Sequence, residues 1–599
     1  MNKKGRGKSL MKKILKLALA GLMLIGLVGC GSNDDNKGKN QSNSTVVVAV
    51  PSFGGNFIYG WGTSSYDAFV RYLVYGQNGL LTVDQNGGMI KNFFVEDFEV
   101  SEDNLTWSFQ LKKGIKYSDG TELTAKDVLF TYKFYLDDSY LTAGGSGATP
   151  RIDNITGAKD YLASCEAGAC DDSLLTGITV VDDYNIEFNL DVCYFATWYN
   201  TFGYTPILSE AHFTQWDGSI DADGSVNIEV IKKNAMEEPF GMGPYKFVEY
   251  EPSQYIRLEI NEHYVEDAVG QKPSINTIIM KITADELELD QLLVGDLDIL
   301  PGEIDEEKID PIKADANFAA NAYPRHGYGV LTLHTDFGVT QYKEVRQAIS
   351  YAMNREEFAE MFMGKYGSVV QGPYSTNFWM IDDAWVEETL IDYHYNPEKV
   401  KEILEDAGWA RGDDGIYAKD GEKLVITVAC GTQKWADSLN LLTAKVAEEC
   451  GIQFVMVSID FQILMDHMTG LYLGSESDRI YNGFCHATSL DAVFDGYATY
   501  HSRMVNTWGG TQTGNNPRLQ NAEVDALIEA MRLCNPATEE GKAEYQRLYR
   551  EWLIILNEEA PILPMYSNEY HDLYSAHIKN FYTSSLWDWT NGIIGATID

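Results

Sequence analysis

Cysteine, histidine and carboxylate side chains are where metal, thiol or proton-transfer chemistry would reside, and their spacing decides which of these is open. The chain carries 8 cysteines, 10 histidines and 88 acidic residues. Cys165 and Cys170 stand close enough for a small loop disulfide in an oxidising compartment, with two free thiols as the alternative. No second close cysteine pair and no histidine pair accompanies them, so the spacing does not make a zinc site. The histidines are scattered; His334, His486 and His501 are candidates to converge only through the fold, and a lone histidine is more often a core or surface residue. The chain has no G-x-S-x-G elbow, H-E-x-x-H pair, phosphate loop or G-x-G-x-x-G fingerprint,. Gly241-Met-Gly243 leads into a hairpin, not a helix. The aromatics are abundant, with 12 Trp, 36 Tyr and 25 Phe. Most belong in cores, but Phe53, Phe57 and Trp61 lie in glycine-rich loops and are candidates to line a pocket. The expectation is a binding protein, without catalytic residues, resident metal or cofactor.

The elements around these residues begin with a leader. Seven basic residues (Lys3, Lys4, Arg6, Lys8, Lys12, Lys13, Lys16) flank the start of the apolar run Leu17–Val28. Twelve residues cannot span a hydrocarbon layer of about 30 Å as a helix, so residues 1–29 read as a secretory signal. Leu27-Val-Gly-Cys30 resembles the bacterial lipobox, which implies lipidation of Cys30 as the first mature residue; a plain signal with a chance cysteine is the alternative. The net charge of −42 becomes about −49 once the leader is removed, which argues against nucleic acid and anionic lipid as partners,. Residues 30–45 carry the anchor and a polar, disordered tether.

The rest is long enough for two or more lobes. Val46–Val50 reads as a buried strand and Leu105–Lys113 as an alternating one. Thr124 and Asp127 form the capping box of a helix over Ala125–Leu136. Strands flank Asp182-Asp183, and Tyr245–Tyr250 with Tyr255–Ile260 make a hairpin. Further elements are a strand at Lys272–Thr283, a helix at Asp285–Val294 stopped by Gly295, and helices beginning near Val345, Asn354 and Asn396. Leu424–Ala429, Ala436–Glu449 and Gln453–Ile459 compose a βαβ unit whose first loop, Cys430–Trp435, lies at the carboxyl edge of a parallel sheet, where ligands of open α/β sheets bind. Ile480–Cys485 predicts a strand ending in a loop at His486–Asp491. Helices at Ala522–Leu533 and Thr538–Asn557 precede a short strand, Ile562–Tyr566.

Several segments then carry a likeness. Leu111–Asp137, Pro239–Tyr245, Leu293–Asp298, Val345–Arg355, Asn396–Trp409 and Glu558–Tyr566 resemble, in order, motifs of the family 5 extracellular solute-binding proteins, the receptors of oligopeptide, dipeptide and nickel ABC transporters. The resemblance implies a two-lobed α/β, periplasmic-binding-protein-like fold (type II) with a domain inserted in the first lobe. Lobe I would comprise 46–77, 184–328 and 568–599, the insert 78–183 and lobe II 329–567. It also implies ligand contacts by Thr432, Gln433 and Trp435, and by Cys485, His486, Ala487, Thr488 and Asp491. In oligopeptide receptors of the family an aspartate two residues after the cysteine matching Cys485 pairs with the peptide amine; Ala487 occupies that place, and Asp491 is a substitute. The usual cationic partners of the peptide carboxylate align with Met363, Trp435 and Tyr481, leaving Lys365, Lys434 and Arg479 nearby as substitutes. The implied role is a lipid-anchored monomer delivering peptides to a membrane permease. An oligosaccharide, a nickel chelate or a non-transport signalling role are the alternatives.

Overall fold

The computed structural model describes residues 44–599 except 60, 62–63, 77–78, 144, 146–148, 223, 471–474 and 506–513; the leader, Cys30 and most of the tether lie outside the described residues. Thr45–Val50 forms the expected strand, its valines alternating onto buried positions. It pairs in parallel with Thr277–Ile282, which continues antiparallel into Tyr255–Ile260 and Tyr245–Glu251. On the other side lie Ile299–Glu303 and then the long strand Ile562–Ser575. Beyond it come Gly327–Leu333, Gly483–Ser489, Val425–Cys430 and Gln453–Ser458, so one 12-stranded sheet runs through both halves of the molecule. Ile562–Ser575 is their common member, and it also takes Phe318–Pro324 and Gly367–Ser368 as partners. Residues Ser44–Asp599 form one compact unit.

The βαβ unit is present. Val425–Cys430 and Gln453–Ser458 pair in parallel, bridged by the helix Gln433–Cys450, which buries Leu439, Leu442 and Val446 and stops at Gly451 with φ 69°. The helix starts three residues earlier than its apolar pattern indicates. Thr432 accepts from the Trp435 amide at 3.3 Å as the N-cap, so Gln433 and Trp435 sit in the first helical turn and the expected six-residue loop shortens.

Two strands differ from the sequence reading for one reason: a partner overrides the local pattern. Gly483–Ser489 begins three residues after the expected Ile480 and carries on through the supposed loop, because it keeps unbroken antiparallel register with Gly327–Leu333 from Gly483 opposite Leu333 to Ser489 opposite Gly327. His486, Ala487 and Thr488 are therefore strand residues. Ile562–Ser575 is 14 residues long where only its first five were expected, since the polar stretch Ser567–Asp572 hides a buried strand core. Close packing there requires glycine: a Cβ on Gly329 would stand 2.0 Å from the Tyr566 ring.

A separate four-stranded antiparallel sheet joins Val95–Val100, Thr106–Leu111, Asn185–Asn189 and Ile178–Asp182 in that order. Its aromatic core centres on Trp107, Phe109, Phe188 and Phe202, and the helix Ala125–Tyr135 closes it with the expected Thr124–Asp127 capping box. Cys165 and Cys170 are bonded as a disulfide in this region. Among the described residues no helix is long and apolar enough to cross a membrane.

Candidate binding cleft

The segments joining the two halves of the large sheet open onto a cavity of about 470 Å³. Each wall has a local origin. The helix Ser65–Tyr75 supplies Ser65 and Tyr72. Trp198–Gly203 winds as a π-helix, a wide turn common at functional sites, and it brings Tyr199 and the following Tyr204 to the cavity. The turn between Phe318–Pro324 and Gly327–Leu333 gives Arg325 and His326. The end of Gly483–Ser489 gives Ser489 and, just past it, Leu490, Asp491 and Ala492; residues Ser584–Asp588 close the far side.

Opposed charges meet at the wall of this cleft: Asp491 lines the cavity, and Arg151, outside the lining, reaches it across the Tyr204 ring. Arg151 donates to Asn200 Oδ1 at 2.7 Å, lies 3.9 Å over the Tyr204 ring, and reaches Asp491 Oδ2 at a loose 3.7 Å. Burial disfavours the Arg151 charge, but Asp491 and the surrounding tyrosines outweigh it and hold its pKa above the ordinary value. Asp491 is fixed through its main chain: His326 Nε2 donates to its carbonyl at 3.2 Å, and Leu490 N donates to His326 O at 2.9 Å. Burial pushes the His326 pKa down, so the ring is neutral at pH 7. Asp588 accepts from the Thr590 amide at 2.8 Å, and burial raises its pKa. Tyr199 and Tyr204 are raised by burial and then by Asp491, or by Tyr204 on Tyr199, so their hydroxyls stay protonated donors. The arrangement suits a ligand with charges of both signs and many hydrogen-bonding groups. Among the described residues its lining holds no activated nucleophile.

Of the residues expected from sequence, only Asp491 lines this cavity. Trp435 is buried against Phe358, Phe362 and Tyr566 at 5.1–5.6 Å. Gln433 bonds Asp437 on its own helix. Cys485 is wholly buried opposite Cys430. His486 Nε2 is 3.1 Å from Thr332 Oγ1, and burial lowers its pKa to about 4. Ala487 is exposed, and the Thr488 carbonyl accepts from Arg325 at 3.2 Å. Thr432 serves as the helix cap. Phe53 makes edge contacts with Phe57 and Tyr250, and Trp61 is core, 5% exposed, with its indole N–H on Ala143 O at 3.2 Å. Neither lines the cavity: glycine-rich flanks mark a turn, and an aromatic beside a turn is just as able to cap a core. The substitute cations are engaged elsewhere, Lys365 with Asp310 at 2.5 Å, Arg479 with Asp336 at 2.5 Å, and Lys434 over the Phe362 ring at 4.5 Å. Arg151 and the tyrosine wall were missed. The aromatic cluster Trp198–Tyr204 was their one visible signal.

Residues 90–511 match the profile of bacterial extracellular solute-binding proteins, family 5 Middle. The chain belongs to this family. Among family 5 relatives, the oligopeptide-binding protein AppA of Bacillus subtilis is 24% identical, covering 90% of this chain and 91% of its own. Heme-binding protein A of Haemophilus influenzae is 23% identical over 93% of each. The structure of the Bacillus subtilis AppA in complex with a nonapeptide superposes with a TM-score of 0.68 at 21% identity, over 94% of this chain and 100% of that one. NikZ from Campylobacter jejuni, in complex with Ni(L-His), gives 0.69 at 18% identity over 93% and 100%. The family 5 fold is thus the two-lobed α/β architecture expected from the sequence.

Proposed function

We propose that this protein is the substrate-binding component of an ABC importer, capturing peptides between its two lobes and delivering them to a membrane permease. The observation that carries the peptide reading is the half-exposed Asp491 in the cleft wall, which Arg151 reaches at 3.7 Å from outside the lining, among tyrosine hydroxyls that match amide groups. A peptide's terminal ammonium pairs with Asp491, and its amide groups pair with the tyrosine hydroxyls. Likeness along nearly the whole length to an oligopeptide-binding relative supports the same reading. We read lobe I as 46–77, 184–328 and 568–599, the insert as 78–183 and lobe II as 329–567. The protein works outside the cytoplasm, tethered through lipidated Cys30, as a monomer and without catalytic activity. Nickel-chelate cargo loses its motive, because His486 is bonded to Thr332 and does not line the cleft.

Native mass spectrometry of protein purified from its own host tests the proposal. A ladder of bound masses matching peptides is the expected result. A single sugar or a metal complex in the cleft would overturn it.

A further inference from the structure

The cleft wall holds a cation that the fold leaves without an anion. Arg325 is the only lysine or arginine among the described residues that line the cavity; the other ionisable groups there, tyrosines aside, are His326, Asp491 and Asp588. Its neighbours fix its placement. The Arg325 main-chain amide donates to the Asn568 carbonyl at 2.8 Å, on the shared strand Ile562–Ser575. In the guanidinium, Nη2 donates to the Thr488 carbonyl at 3.2 Å, and the group lies 5.9 Å from the centre of the Tyr570 ring. Nε is enclosed and has no acceptor.

None of these partners carries a negative charge. Tyr566, against the guanidinium, stays a neutral phenol because burial holds its pKa up. Arg151, Arg346, Arg518 and Arg532 each stand 3.7 Å or less from a carboxylate. Arg325 reaches none among the described residues. An arginine does not shed its proton to escape such a site, so a half-buried guanidinium without a counter-ion is a standing cost,. A carboxylate in the cavity removes that cost and forms charge-assisted hydrogen bonds that a neutral group does not match.

The position of Arg325 also sets where on a ligand that carboxylate must be. Arg325 and His326 are successive in one turn, and they hold the carbonyls of Thr488 and Asp491. Those carbonyls are three residues apart, at most about 11 Å of extended chain. A peptide whose ammonium sits on Asp491 therefore meets Arg325 within about its first three residues. Arg325 is none of the positions to which the family resemblance assigns cations; those hold Met363, Trp435 and Tyr481.

We propose that Arg325 binds a carboxylate of the ligand and thereby sets which peptides this cleft prefers. The inference rests on the peptide reading above. Two kinds of peptide present that group at this register: a di- or tripeptide through its free carboxyl terminus, and a longer one through an aspartate or glutamate near its amino end.

The test measures dissociation constants by calorimetry for two sets of alanine-based peptides. The first set is carboxyl-amidated heptapeptides in which one glutamate is moved through every position, with the amidated all-alanine heptapeptide as reference. The second is di- and trialanine, each with a free and with an amidated carboxyl terminus. A glutamate at one of the first three positions, or the free terminus of the short peptides, is expected to tighten binding about tenfold over its uncharged counterpart. The first result assigns selection by sequence and the second selection by length. In Arg325→Gln that ratio is expected to fall below about threefold, and Arg325→Lys is expected to keep part of it. The ratio is taken within each variant, so a general loss of affinity does not mimic the effect. No gain from a carboxylate in either set, a gain confined to glutamate beyond the third position, or a ratio unchanged in Arg325→Gln overturns the assignment and leaves peptide binding intact. Failure of every peptide to bind overturns both.

Discussion

Arg355 and Arg151 are both arginines drawn away from bulk water, and the protein treats them in opposite ways. Arg355 is 1% exposed. Its guanidinium donates to the carbonyls of Val370 and Pro564 at 2.9 and 3.0 Å, to Gln371 Oε1 at 2.6 Å and to Tyr393 O at 3.0 Å. Burial pulls its pKa down to about 10, still far above neutrality, so it stays charged and staples separate segments together. Arg151 has one short hydrogen bond, a ring beneath it and, at 3.7 Å, an acid that lines the cavity. A buried cation whose two terminal nitrogens are taken up by four oxygens offers no face to a ligand. One held at arm's length from its acid does, and so the two sites separate stability from recognition.

The largest stability effect should fall on the filled site. Arg355→Met strands four acceptors in the interior and is expected to cost about 4 kcal/mol or more, read from denaturant midpoints; a loss under about 1 kcal/mol would erase the contrast. Asp572 extends the comparison to an acid. It is fully buried on the shared strand, accepts from Gly302 N at 2.7 Å and Tyr323 OH at 3.2 Å, and burial, with Asp588 adding, raises its pKa to about 6. A raised pKa means that the folded state holds the proton more tightly, so this group favours folding below the ordinary carboxylate pKa and loses that advantage as pH rises from about 4 through about 6. Asp572→Asn should therefore recover up to about 3 kcal/mol at pH 7 and little at pH 4. A variant no more stable at pH 7 than at pH 4, relative to wild type, would contradict the assignment.

Replacing Cys165 and Cys170 by serine opens a short loop and should cost about 2 kcal/mol without changing peptide affinity, since the disulfide lies in the region of the small sheet. Thermal melts paired with binding curves check both halves of that statement. The smallest stability change belongs to Arg151→Ala, at most about 1 kcal/mol for a partly exposed pair. Its peptide affinity should nevertheless fall about tenfold, with Arg151→Lys giving only partial rescue because lysine lacks the planar fork over Tyr204. If affinity is unchanged, Arg151 is structural and the comparison collapses.

What the sequence reveals of this molecule depends on whether the cause is local. The Thr124–Asp127 capping box, the stop at Gly295 and the βαβ unit rest on neighbours within a few residues, and the structure contains them. The cleft rests on chain segments hundreds of residues apart: Arg151 meets Asp491, and both meet tyrosines from a π-helix that no apolar period encodes. Asp491 was within reach because it follows a recognisable strand. Ile562–Ser575 was truncated in the reading because Asn568, His571 and Asp572 look like surface residues until their burial is seen.

That strand also sets a timetable. It lies near the end of the chain, yet it stands between Ile299–Glu303 and Gly327–Leu333 in the sheet, so neither half has its central partner until residues 562–575 have been synthesised. A chain leaving the ribosome at its amino end therefore spends most of its synthesis unable to complete its core.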